Sequence, residues 1–87
     1  MGSFTLNGKK MKTRGEAYDH IAETLGFPEY FGKNLDALYD LLTEMSADVS
    51  MKNADDMINA LGGYGCEIVK CFCDAAEQNP NFSFRIK

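Results

Sequence analysis

Three short runs in this 87-residue chain alternate apolar and polar residues, and helix-forming sequence separates each run from the next. They are Ser3-Phe4-Thr5-Leu6, Ala47-Asp48-Val49-Ser50-Met51 and Phe82-Ser83-Phe84-Arg85-Ile86. Such alternation marks a strand with one face against a core. The middle run is the weakest of the three, being short and built from modest apolar residues. Strands separated by helices need crossover connections, and crossovers give parallel pairing. The expectation is a single small α/β domain over residues 1–87, a three-stranded parallel sheet packed against about four helices. No internal repeat, low-complexity tract or linker interrupts it.

The helices can be placed from their boundaries. Thr13 caps the first, with Glu16 completing a capping box. Ala17, Tyr18, Ile21, Ala22 and Leu25 follow at helical spacing until Gly26 stops the run, and His20 falls off the stripe as an exposed or half-exposed residue. Pro28 prevents direct continuation into the second helix. That helix begins at Asn34, a good N-cap, and is expected to run to Met45 or Ser46. Asn53 caps a short third helix through Met57, Ile58 and Leu61. Gly62-Gly63-Tyr64-Gly65 reads as a break. A fourth helix from Cys66 to Gln78 turns Ile68, Val69, Phe72, Ala75 and Ala76 inward, and Asn79-Pro80-Asn81 makes the last turn.

Charge and cysteine usage narrow the function classes. A formal charge of −4 and an isoelectric point near 4.8 argue against direct nucleic-acid binding and favour a cationic partner. No run approaches the roughly 20 apolar residues that span a bilayer. The N-terminus lacks the charged-then-apolar pattern of a secretory signal, and Leu6 stands where myristoylation after Met1-Gly2 requires Ser or Thr. The cysteines, Cys66, Cys71 and Cys73, are odd in number and crowded into one helix, so they make no disulfide framework. The expected location is the reducing cytoplasm.

The segment from Phe27 to Asp40 carries the most chemistry. Asp36 and Asp40 lie one turn apart on one face of the second helix with Tyr39 beside them, and Leu35, Leu38, Leu42 and Met45 form the opposite, apolar stripe. Like charges at this spacing repel, yet the acids continue to Glu44. The pair could act as general acid and base, but exposed aspartates lack the enclosure that drives two carboxyl pKa values apart. A cysteine nucleophile served by His20 lacks any surrounding motif, and burial in the core is the better account of the cysteines. Their C-x4-C-x-C spacing in one helix points the thiols apart, so neither a metal nor another cofactor is expected. The glycines near position 63 precede no phosphate-loop Lys-Ser/Thr. Phe27 and Phe31 suit the core, whereas Tyr30 and Tyr39 sit where interface anchors would.

Pro28-Glu29-Tyr30-Phe31-Gly32-Lys33-Asn34-Leu35-Asp36-Ala37-Leu38-Tyr39-Asp40 closely resembles the corresponding run of the barstar family, intracellular inhibitors of a secreted bacterial ribonuclease. Looser similarity extends over nearly the whole chain. The resemblance implies three parallel strands packed on helices, and a monomer in the free state. It also implies one-to-one blocking of a guanyl-specific, barnase-like ribonuclease by plugging its active site, with no cofactor. By the same resemblance Asp40 reaches the catalytic centre, Asp36 supports it, and Tyr30 packs on the catalytic histidine. Gly32 and Asn34 make contacts nearby, and Tyr39 replaces a tryptophan. A further acid on the last helix falls at Asp74 if Phe72 sets the alignment, but the position falls at Ala75 if Gly65 does. Lys33 stands where the family has an acid, which would weaken the acidic face locally and alter partner choice. The family's tryptophans are absent, and Ala47 to Leu61 matches poorly. The alternative is a binding module of the same fold for a different basic toxin or protein.

Overall fold

In the computed structural model, which describes residues 2–87, three strands pair in the order β1 (Gly2–Asn7), β2 (Ala47–Lys52), β3 (Phe82–Ile86), all parallel. Met1, where the myristoylation signal would begin, lies outside the described residues. Phe4 pairs with Val49 and Val49 with Phe84, so one face of the sheet carries Phe4, Leu6, Ala47, Val49, Met51, Phe82 and Phe84. All of these belong to or pack on the core. The opposite face carries Ser3, Thr5, Asp48, Ser50, Ser83 and Arg85; its residues on the two edge strands are exposed, whereas Ser50 at the centre is buried. The middle run, weakest in sequence, is therefore the central strand. Its pattern looked faint because Asp48 and Ser50 are small polar residues on the open face, with Asp48 accepting a hydrogen bond from the Ser83 hydroxyl.

A 3-10 turn (Gly8–Lys10) follows β1 and leads to α1 (Arg14–Leu25). The Thr13 side chain accepts from the Glu16 amide at 3.1 Å, and Gly26 ends α1 in the left-handed conformation, as the sequence implied. Ala17, Tyr18, Ile21 and Leu25 are buried. His20 is half-buried, and its Nε2 accepts the Asn7 amide at 3.0 Å, which ties α1 to the end of β1.

Three boundaries differ from the sequence expectation. The second helix, α2, covers Leu35–Leu42 and stops short of Met45. Buried Asn79 is the cause: its Nδ2 donates to the carbonyls of Leu42 (3.1 Å) and Met45 (2.8 Å), satisfying them outside any helix. Thr43 adds a bond to the Asp40 carbonyl, and Glu44 lies beyond the helix end. Asn53 precedes α3 (Ala54–Leu61) without capping it. Its side chain instead donates to Asn7 Oδ1 at 3.0 Å, joining the ends of β1 and β2, while its backbone sits at φ 56°.

The third difference is α4, which runs from Gly63 to Gln78, so that only Gly62 breaks the chain. Gly62 adopts φ 61°, ψ −133°, a conformation open to glycine alone. Gly65 is a packing residue, because a Cβ there would stand 3.0 Å from the Ile58 Cα. The interior of α4 faces Phe82 and Phe84 through Phe72, with ring centroids 6.3 and 4.8 Å away. Among the described residues no helix is long and apolar enough to cross a membrane.

Candidate binding face on the second helix

The loop between α1 and α2 is held by side chains more than by its own backbone. Phe31 is buried, packing edge-on against Phe27 (5.0 Å) and Tyr18 (5.8 Å). Its neighbour Tyr30 points outward and is 82% exposed, the most exposed large apolar side chain of the described residues. Such a ring gains from burial against a partner, and nothing among the described residues supplies it. Asn34 closes the loop: its Oδ1 accepts from the Ala37 amide at 2.7 Å while its Nδ2 donates to the Gly32 carbonyl at 3.2 Å. Both ends of that side chain are engaged, so Asn34 serves first as the helix cap and as the brace of Gly32.

α2 then forms a ridge between two shallow depressions. One is lined by Tyr30, Gly32, Asp40 and Glu44; the other by Asp36, Tyr39, Glu67, Lys70, Cys71 and Asp74. Asp36 and Asp40 are exposed, and among the described residues neither carboxylate has a hydrogen-bond or ion-pair partner. Four residues of helix rise separate them by about 6 Å. Tyr39 is half-buried between the core and the α4 side. Asp74 and Glu67 of α4 line the same groove as Asp36, whereas Ala75 is fully buried.

Glu67 and Lys70 escaped the sequence reading. They share a face with Asp74 at spacings of seven and four residues, and the packing of α4 beside α2 brings that face to Asp36. Lys70 Nζ contacts Asp74 at 3.2 Å, and that hydrogen bond raises the lysine's proton affinity. Lys33 does not blunt the acids of α2 as its sequence position suggested. In the left-handed conformation (φ 51°), it sends its ammonium to Asp19 of α1, 2.9 Å away.

The histidine and the three cysteines lie in different parts of the fold. Cys66 and Cys73 are exposed, contrary to the expectation of core packing for all three cysteines; Cys71 alone is buried. Burial, and then the charges of Asp74 and Asp36, push its thiol up to about 11, so it remains protonated at neutral pH. His20 lines a different depression with Lys9, Lys10, Glu16, Asp19 and Glu23, and no cysteine is among them. Burial and then Lys10 hold its imidazole below the usual value, with Glu23 pulling the other way. Among the described residues no group of three or more His, Cys, Asp or Glu is placed to hold a metal ion.

Fold and face together define a class: small two-layer α/β domains that display two unpaired acids on one helix beside exposed tyrosine. The chain belongs to the barstar family, since the family model described as "Barstar (barnase inhibitor)" matches it over residues 1–87. It is also 28% identical over 81 residues to the Bacillus subtilis (strain 168) protein named "Putative ribonuclease inhibitor YrdF", a match covering 90% of this chain and 89% of that protein.

Proposed function

We propose that this protein is an intracellular, stoichiometric inhibitor of a secreted, guanyl-specific, barnase-like ribonuclease, and not itself an enzyme. Membership of the barstar family and the name of the Bacillus relative support ribonuclease inhibition in general. One observation carries the finer reading: Asp36 and Asp40 stand exposed and unpaired on one face of a short, capped helix. A ribonuclease must hold successive phosphates in a concave, basic site. Two carboxylates about 6 Å apart along a rigid helix reproduce that charge pattern and accept charge-assisted hydrogen bonds from Arg and Lys.

In this reading Asp40 reaches the catalytic centre and Asp36 flanks it. Tyr30 packs on the enzyme's catalytic histidine, with Gly32 and Asn34 in contact beside it. Tyr39 and Asp74 close the α4 side. The free protein is a monomer of the cytoplasm, and it meets the enzyme rather than RNA.

Titrating a guanyl-specific ribonuclease with the protein should abolish activity at a one-to-one end point. Asp40→Ala should raise the dissociation constant at least about 30-fold, the threshold of an interface hot spot, a range to which barnase and barstar themselves contribute. Asp48→Ala, on the open sheet face, should leave it unchanged. Full activity of several barnase-like ribonucleases at micromolar excess of the protein overturns this reading. Lys33, at the edge of the face where the family has an acid, favours a second reading in which the same surface serves another basic toxin or protein. A pull-down using the Asp36/Asp40 double variant as control separates the two.

A further inference from the structure

The face just described depends on a loop that has few bonds of its own. From Phe27 to Lys33 the described backbone contributes two hydrogen bonds, Phe27 N–H to the Ala22 carbonyl (2.9 Å) and Phe31 N–H to the Pro28 carbonyl (3.0 Å). Phe31 is the residue that anchors it inward, and the ring it rests on is Tyr18 of α1. Tyr18 is 2% exposed, and its hydroxyl is hydrogen-bonded to the hydroxyl of Tyr64, in the first turn of α4. The two tyrosine rings also meet edge-on at 6.3 Å, and the Arg14 guanidinium lies 3.9 Å over the Tyr64 ring.

We propose that Tyr18 and Tyr64 are positioning residues for the binding loop, a clamp through which α1 and α4 together set where Phe31 sits and hence how Tyr30 is presented. The physical case rests on three facts. Tyr18 is too buried to find water if its partner hydroxyl is removed, so the pair stands or falls as a unit. Phe31 and Tyr30 are consecutive, so any tilt of the buried ring is passed to the exposed one. The loop's own bonds are too few to hold it against such a tilt, and a loop that is only part of the time in its binding geometry binds in proportion to that fraction. Arg14 stacks on the far partner, holding Tyr64 from the solvent side.

This inference rests on the inhibitor reading for its consequence in binding, but not for the clamp itself, which the free protein can reveal. In Tyr64→Phe, amide exchange at Phe31 should accelerate about tenfold or more relative to the strand amides of Val49 and Met51, because the Tyr18 hydroxyl loses its partner. Against any ribonuclease that the unaltered protein binds, the dissociation constant should rise by a factor of about 3 to 10. The double variant Tyr18→Phe/Tyr64→Phe removes both hydroxyls, keeps the ring contacts, and should regain most of the lost loop protection and affinity. That recovery is the signature of a pair, which general loss of stability would not produce. Met57→Val, a packing change in α3 away from the loop, should lower stability without touching the Phe31-to-strand exchange ratio. Unchanged relative exchange at Phe31 in Tyr64→Phe, or additive losses in the double variant, overturns the clamp. If the unaltered protein binds no ribonuclease, the inhibitor reading fails while the exchange data still decide the clamp.

Discussion

Replacing Asp40 with alanine should make the free protein more stable, and the size of the gain follows from where α2 begins and ends. Asp40 lies two residues before the last residue of an eight-residue helix, Leu35–Leu42. A carboxylate there faces the negative end of the helix dipole, at a cost of about 0.3–1 kcal/mol. Its i,i+4 neighbour is Asp36, and the like-charge pair costs roughly 0.2–0.5 kcal/mol. Aspartate is also a poorer helix former than alanine by up to about 0.7 kcal/mol. No hydrogen bond or ion pair among the described residues offsets these costs. Allowing for incomplete additivity, Asp40→Ala should stabilise the fold by about 1 kcal/mol, equivalent to roughly 4–8 °C in melting temperature for a domain of this size. Asp36 is the built-in comparison. It sits in the first turn, where the dipole favours it, so Asp36→Ala exchanges one benefit for another and should change stability by less than about 0.5 kcal/mol. Thermal and urea unfolding at low ionic strength measure both, and 1 M salt should shrink the Asp40 gain. A loss of more than about 0.5 kcal/mol in Asp40→Ala would show that its carboxylate supports the fold, which would refute the reasoning.

Other substitutions and conditions test the remaining parts of the structure. Asn79→Ala removes a 7% exposed amide that donates to two carbonyls and accepts the Asn81 amide at 3.0 Å, so the urea midpoint should report a loss of about 2–4 kcal/mol. Asn81→Ala, exposed, should cost under about 0.5 kcal/mol, and equal effects of the two would dismiss Asn79 as the terminator of α2. Burial and then Lys10 hold the His20 imidazole below its usual 6.5, where its Nε2 accepts the Asn7 amide, so the unfolded chain takes up its proton first. Its contribution is therefore complete above about pH 6.5 and is lost as pH falls through that value toward the lower folded one. His20→Phe should flatten the stability profile between about pH 7 and pH 5; parallel profiles would exclude the interaction. Iodoacetamide at mildly alkaline pH should label exposed Cys66 and Cys73 in the native protein and spare buried Cys71, whose thiol is pushed up to about 11. Equal labelling of all three thiols would contradict that burial.

What the sequence disclosed depended on whether a residue's role was local. The Thr13 cap, the Gly26 stop and the Asn34 cap are decided within four residues, and the structure has them where the pattern placed them, though among the described residues the Glu16 side chain makes no return bond to complete a box at Thr13. Asp36, Tyr39 and Asp40 were legible for the same reason, being turns of one helix. Asn79 stands 34 and 37 residues from the carbonyls it satisfies, so the early end of α2 could not be read from α2 itself. Asn53 has the composition of a cap but is diverted by Asn7, which lies across the sheet. Gly63 and Gly65 carry the local marks of a break, yet close packing of α4 on α3 overrides their poor helix propensity. Glu67 and Lys70 lay within the helix expected from Cys66, but only the packing of α4 beside α2 shows that they line one groove with Asp36 and Asp74.

The charge pattern around α2 sharpens the meaning of its two free acids. Two lysines border the face, and each is bound to an acid other than Asp36 or Asp40: Lys33 to Asp19 on α1, and Lys70 to Asp74 on α4. Either lysine, turned toward α2, would relieve a helix that now carries like charges one turn apart. Both pairs are exposed, and such pairs contribute about 0–1 kcal/mol, too little for the fold to require them. Lys33 turns away to α1, whereas Lys70 stays in the groove beside Asp36 and pairs with Asp74 there. A chain selected for stability alone would not keep repelling carboxylates at a helix C-terminus while its own lysines pair with other acids. Among the described residues Asp36 and Asp40 thus stand unpaired on a single helix whose start is capped by Asn34 and whose end is held by Asn79.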